Sequence, residues 1–485
     1  MIELAATFYS SLINQITTEG FMSESSNELR ILSPTAILGY GFPVSSFEKG
    51  MALAPHVVAV DAGSTDPGPY YLGAGISFTD RAAVKRDVKI ILCATRKAGI
   101  PFIVGSAGGA GGTPHLEWLA DIVREIAYEE NLSFKMALID SEIDKDVVLS
   151  ALLAGEIKPC GTWDALNPER IKSSERIVAQ IGVEPIIAAL KEDVDVVIAG
   201  RTYDPAVFAA LPVMKGFDEG LALHMGKILE CAAIACSPGS GSDCMFAVLK
   251  DDHFLIHPLN ETRKCTVNSV AAHTLYEKSN PTRLPGPGGV LDLTETVFEQ
   301  LNDNTVKVSG SKHIHTAYEL KLEGAALSGY RTVSFAGVRD PIFISQIDEI
   351  IKAVRDRTTD NFSDYSESDY KLYFRVYGKN GVMGESEPLA DAVPHEIGII
   401  IDAVARTQLL ANTICGFARS TMLHYGYPGR ISTAGNLAFP YSPSDFKAGE
   451  VYGFSVYHLM RARDPLGHSK NSFETVNGGL NGQAH

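Results

Sequence analysis

The stretch VVAVDAGSTDPGPYYLG (residues 57–73), followed by IPFIVGSAGGAGGTPHLEWLADIVREIA (residues 100–127), decides the fold. Val57 to Val60 is a short apolar run that stops on Asp61, and the Gly63-Ser64-Thr65-Asp66-Pro67-Gly68 segment behind it is turn-forming. Phe102 to Val104 is a second apolar run. It opens into Gly105, Gly108, Gly109, Gly111 and Gly112, and then into an amphipathic helix with His115 at its start. Strand, turn, helix, strand, Gly-rich turn, helix is the pattern of a parallel α/β sheet. Ligands of such sheets bind beyond the carboxyl ends of the strands, where Asp61, Ser64, Asp66, Ser106 and His115 are expected.

Outward from this stretch the alternation continues. Leu29 to Leu38 reads as a strand leading into Gly39-Tyr40-Gly41, but Val44 stands where a dinucleotide fingerprint needs its third glycine, so no NAD site is expected. Thr79 to Ala98, Asp146 to Leu153 and Ile177 to Lys191 read as helices, and Met136 to Ile139 and Val194 to Ala199 as strands. After the last of these come Gly200-Arg201-Thr202-Tyr203-Asp204-Pro205, with Asp204 a helix cap and Pro205 a first helical residue. The expected fold class is α/β, a doubly wound parallel sheet with a smaller C-terminal α/β or α+β domain.

Ala222 to Ala235 reads as a helix presenting His224, Lys227 and Glu230 or Cys231 on one face. From Met245 the strands shorten into an α+β second lobe, with a helix at Thr266 to Glu277 and another at Asp348 to Val354. Polar Thr358 to Asp369 marks a boundary. A strand at 370–378, a long apolar helix from His395 to Met422 that would suit a subunit interface, and a last strand from Gly453 to Leu459 follow. The expected division is 1–28 (helix and linker), 29–357 and 370–485, the final residues fraying.

At 485 residues the chain needs more than one core, and 45% hydrophobic with 21% charged residues is a globular balance. A net charge of −16 without a basic stripe argues against nucleic acid as partner. No apolar window is long enough for a membrane span, and the N-terminus lacks the pattern of a signal peptide. Seven cysteines without a C-x-x-C pair suit reduced thiols in the cytoplasm, the expected location.

The runs VVIAGRTYDPAVFAAL (196–211), HMGKILECAAIAC (224–236) and FLIHPLNETRKCTVNSVAAHTLYEKSNPTRLPGPGGVLDLTETVFEQLNDNTVKVSGS (254–311) resemble the acyclic terpene utilisation (AtuA-type) family over most of positions 30 to 340. The Asp61-to-Asp66 segment suggests a branch distinct from the terpene proteins. The resemblance implies a catabolic protein of acyl or carboxylic-acid metabolism, sometimes with a small partner subunit. It hands over no reaction.

Several constellations remain two-sided. The Gly105–Gly112 loop lacks the Lys-Ser/Thr of a P-loop; the amides around Ser106, Gly108, Gly109 and Gly111 would cradle a carboxylate or phosphate, or the glycines would serve close backbone packing. Asp61, Ser64 and Asp66 would act as base, hydrogen-bonding groups or ligands of a divalent cation (Asp61 and Asp66), or else stabilise a turn. Arg201 would clamp a substrate carboxylate, or pair with Asp204 or Asp140. His115 and Glu230 are acid–base candidates, His115 alternatively a solvent-facing helix-start residue. Cys231 is the residue of inert packing more often than a nucleophile.

Together these point to a lyase (hydratase or dehydratase) acting on a small carboxylic acid or acyl thioester. Asp61, His115 and Glu230 are its candidate bases; Ser64, Ser106, Gly108, Gly109, Gly111 and Arg201 its substrate contacts. The alternatives are acyl or CoA transfer through Glu230, and a non-catalytic acyl-binding subunit. A homo- or hetero-oligomer is expected.

Overall fold

The structure is a computed structural model and describes residues 28–276, 279–389 and 391–479. The expected N-terminal helix, and Glu277 of the expected 266–277 helix, lie outside the described residues. The first strands are β1 (Leu29–Ser33), β2 (Val57–Asp61), β3 (Phe102–Gly105), β4 (Ser133–Asp140), β5 (Ile157–Pro159), β6 (Arg176–Ala179) and β7 (Val196–Ala199). Then come β8 (Met245–Leu249), β9 (His253–Pro258), β10 (Arg283–Gly286), β11 (Gly289–Asp292), β12 (Val297–Asn302), β13 (Thr305–Ser309) and β14 (Lys312–His315). The chain finishes with β15 (Glu319–Val338), β16 (Tyr370–Tyr377), β17 (Ile397–Ala405), β18 (Asp445–Arg461) and β19 (Lys470–Asn477).

Ten strands form one sheet in the order β12-β13-β9-β8-β1-β2-β3-β7-β4-β19. Its centre, β1-β2-β3-β7-β4, is parallel. The outer strands join antiparallel, so the sheet is mixed rather than the parallel one expected. The reason is local: Lys250-Asp251-Asp252 alone connect β8 to β9, and a turn that short can only reverse the chain. Both faces of the centre are buried. Ile31, Ala59, Ile103 and Val197 pack with residues of helices Ala206–Met214 and Glu219–Leu229, while Val58, Val60, Val104 and Ile198 pack with helices Arg81–Ala98 and Thr113–Glu129. Strands covered on two sides read as unbroken apolar runs, which is why they were legible.

A second sheet, β16-β17-β15-β18-β5 with β6 also pairing β15, lies alongside, and β10-β11-β14 form a small third one. Two expected helices resolve into strand plus helix. Ile177–Lys191 is the end of β6 followed by helix Glu184–Leu190, and His395–Met422 is β17 followed by helix Gln408–Leu423. In both, a buried apolar strand runs straight into an apolar helix, and hydrophobic periodicity alone does not separate the two. Thr407 marks the break, its side chain accepting from the Leu410 amide at 3.2 Å. The expected 222–235 helix is Glu219–Leu229 followed by a 3₁₀ turn at Ala232–Ala235. Thr358 to Asn361 complete helix Ile347–Asn361 instead of opening a linker. Lys470–Asn477, expected to fray, is an ordered edge strand on β4. Among the described residues no helix is long and apolar enough to cross a membrane.

Candidate functional site

The site grows from the ends of β2, β3 and β7, which finish on Asp61, Gly105 and Ala199. The Ser106 amide donates to the Gly200 carbonyl at 2.9 Å and the Ala107 amide to Ala199 at 3.0 Å, tying the turn after β3 to the turn after β7. Ser106 is held at φ 48°, a left-handed conformation that costs a non-glycine residue about 1–2 kcal/mol. Gly111 (φ 69°) lies against the Arg201 backbone, whose amide donates to the Gly111 carbonyl at 3.1 Å; a Cβ there would collide with Arg201.

Arg201 is therefore drawn into the interior, 2% exposed. Its Nε donates to Glu323 at 2.8 Å, and Nη1 donates to Asp204 (2.7 Å), the Thr202 carbonyl (2.8 Å) and Ser106 Oγ (3.0 Å). Burial alone would favour a neutral guanidine, but Glu323 and Asp204 outweigh it and hold the charge firmly. Glu323, on β15, also faces Lys321 at 2.8 Å and Gln180 at 3.3 Å. Burial would raise its carboxyl, yet Arg201 and Lys321 pull it down to about 2. Lys321 donates to the Tyr457 hydroxyl at 2.7 Å from the neighbouring β18.

These groups wall a cavity of about 180 Å³ lined by Asp66, Gln180, Arg201, Tyr203, Asp204, Pro205, Lys227, Glu230, Lys321 and Tyr457. Lys227 and Glu230 meet inside it at 2.8 Å, both nearly buried. Asp61 stands close behind: burial and then the Asp204 carboxylate push its pKa well up, against the pull of Arg201, and its Oδ1 has no hydrogen-bond partner. Burial also raises the Tyr203 hydroxyl, and burial beside Glu230 pushes the Cys231 thiol up to about 12, far from a nucleophilic thiolate. A larger hollow of about 640 Å³ runs along Arg355 to Tyr373, away from the strand ends. The small cavity is the better candidate because six opposed charges converge there.

A family model, acyclic terpene utilisation family protein AtuA, matches residues 83–438. The chain belongs to this family. No curated protein and no solved structure gives a match. The AtuA match takes in Arg201, Lys227, Glu230, Lys321 and Glu323, and leaves Asp61, Asp66 and Tyr457 outside its limits.

Of the residues expected from the sequence, Asp61, Asp66, Ser106, Arg201 and Glu230 come together at or beside the cavity. Ser64 does not: its hydroxyl accepts from the Asp66 amide at 3.1 Å, which is turn chemistry. His115 also stands apart from the lining. Its Nε2 lies 3.0 Å from the carbonyls of both Tyr71 and Ile76, so that nitrogen carries the proton and fastens a loop; burial keeps the ring neutral. The amide cradle is corrected as well. The amides of Gly109 and Gly111 donate to Ser106 and Ala107 carbonyls, and Gly108 packs under the His115 ring, so these glycines serve close packing. Arg201 pairs with Asp204 but finds Glu323 rather than Asp140 as its second partner. Asp61 and Asp66 belong to no cluster of three possible metal ligands among the described residues.

Lys227, Lys321, Glu323 and Tyr457 were not singled out as site residues. The signal for the middle pair was present in ELKLEGAAL (319–327), where buried Leu320 and Leu322 alternate with Lys321 and Glu323, the period of a strand with a charged inner face.

Proposed function

We propose that this AtuA-family protein is an enzyme that binds a small carboxylic acid, or the acyl end of a thioester, and moves a proton on the carbon next to the carboxyl group, as a hydro-lyase does. The carrying observation is the lining of the 180 Å³ cavity, where Arg201, Lys227 and Lys321 converge with Glu230. Arg201 and Lys321, each ion-paired with Glu323, are the cavity-lining cations whose N–H groups would meet a carboxylate and its enolate-like transition state. Glu230, oriented by Lys227, is the base that takes the α-proton. Tyr457, whose oxygen accepts from Lys321, gives its proton to the departing hydroxyl; the C–H and C–O bonds break, a C=C bond forms and water leaves. The lysine charge stabilises the resulting phenolate until the proton held by Glu230 returns through water.

The polar walls suit the acid end of a substrate rather than a long isoprenoid tail, so the terpene of the family's name is not carried over to this chain. The test is exchange of α-protons with deuterated water, followed by NMR over a panel of small acids and thioesters. The wild-type chain is expected to exchange at least one of them, and Glu230→Gln to exchange it at least about a hundredfold more slowly. An unaffected Glu230→Gln would overturn the role of that residue. Binding without exchange would leave the acyl-binding subunit as the better account.

A further inference from the structure

Outside the cavity one side-chain cluster has the composition and spacing of a metal centre. Glu219 opens the helix Glu219–Leu229, and His313 and His315 sit on one face of β14, two residues apart. Gly220 lets that strand run directly against the helix start, since a Cβ there would reach the Lys312–His313 backbone at about 2.6 Å. The Glu219 Oε2 atom is 3.1 Å from His313 Nδ1 and 3.5 Å from His315 Nε2, and the three ligand atoms lie within 4.8 Å of one another. A tetrahedral ion with bonds of about 2.0–2.1 Å would hold neighbouring ligand atoms roughly 3.3 Å apart, between the two observed values.

The His313 side chain points the same way. It is 4% exposed, and its Nδ1 faces the Glu219 carboxylate at 3.1 Å without the alignment of a hydrogen bond. A buried ring nitrogen held only by an ion-pair contact without hydrogen-bond geometry is incompletely satisfied, and a cation between it and the carboxylate would satisfy both. We infer that Glu219, His313 and His315 form a binding site for a first-row divalent cation, with Zn²⁺ the ion best matched to two imidazoles and one carboxylate. Three protein ligands leave a fourth position for water, and the bound ion would staple the 219–229 helix to the three-stranded sheet. The inference is independent of the acid–base reading of the cavity.

The test uses the full chain, stripped of metal and titrated with Zn²⁺ by calorimetry and with Co²⁺ by visible absorption. One equivalent is expected to bind, with the intense d–d bands of a four-coordinate cobalt and a rise in Tm. His315→Gln, a change at an exposed side chain that leaves the fold undisturbed, and Glu219→Gln are expected to lose that stoichiometric binding. Glu230→Gln, in the other cavity, is expected to keep it. Absence of binding by the wild-type chain, or equal binding by both ligand variants, overturns the site and leaves a histidine–glutamate ion pair in its place.

Discussion

At the scale of single residues, the site sets two buried carboxylates against each other. Glu323 is held low by two cations, so its contribution to stability is complete above the ordinary carboxyl pKa and fades as pH falls towards about 2. Removing its charge leaves Arg201 and Lys321 short of a buried partner. Glu323→Gln is therefore expected to cost about 3–5 kcal/mol, read from urea denaturation at neutral pH. Asp61 behaves in the opposite sense. Its folded pKa is raised by burial, so it favours the fold only in acid, and that contribution is lost as pH rises through the raised value. Asp61→Asn is expected to shift the urea midpoint upward at neutral pH, and to lose that gain below the ordinary carboxyl range. A downward shift at neutral pH would mean that Asp61 is ionised and paired. Arg201 and Asp61 were legible because each stands at the end of an unmistakable strand. Glu323 was legible only as one position on a charged strand face, and its pairing was not, because it lies 122 positions from the arginine it neutralises.

At the scale of elements, the glycines between β3 and the following helix act through space-filling. Gly111 has a left-handed φ of 69° and touches the Arg201 backbone, whereas Gly99, at φ 66°, ends a helix with nothing near its absent Cβ. Gly99→Ala should cost only the backbone strain, about 1–2 kcal/mol. Gly111→Ala should cost that strain and a steric clash besides, about 3 kcal/mol or more, with loss of the arginine's position. Thermal unfolding of the two variants side by side checks the difference; equal losses would mean that the loop has room to move. The motif itself was visible in the sequence, but what the glycines were for was not, because a run of glycine looks the same whether a ligand or another strand approaches it. The same ambiguity hid β17: Ile397 to Ala405 is rich in isoleucine and valine, and that β-branched character, rather than the spacing, was the strand signal.

At the scale of the whole molecule, the chain closes on itself. β19 returns from the C-terminal region to cover β4, pairing all eight of its residues from Lys470 to Asn477. A variant ending at residue 469 would uncover β4, whose Met136, Ala137, Leu138 and Ile139 are buried, as an apolar open edge. It is expected to self-associate, seen as light scattering and a displaced size-exclusion peak; a monodisperse variant of unchanged Tm would show the edge is protected otherwise. β15 binds the parts more deeply still. Its first half carries Lys321 and Glu323 to the cavity and pairs with β6, and its second half pairs with β17. The order of synthesis gives this strand a further meaning. A ribosome delivers Arg201 and its near partner Asp204 long before Glu323, so the nascent chain holds the arginine with one of its two carboxylates. Closure of the cavity is thus a late event, with a loop of more than a hundred residues to close before the second carboxylate arrives.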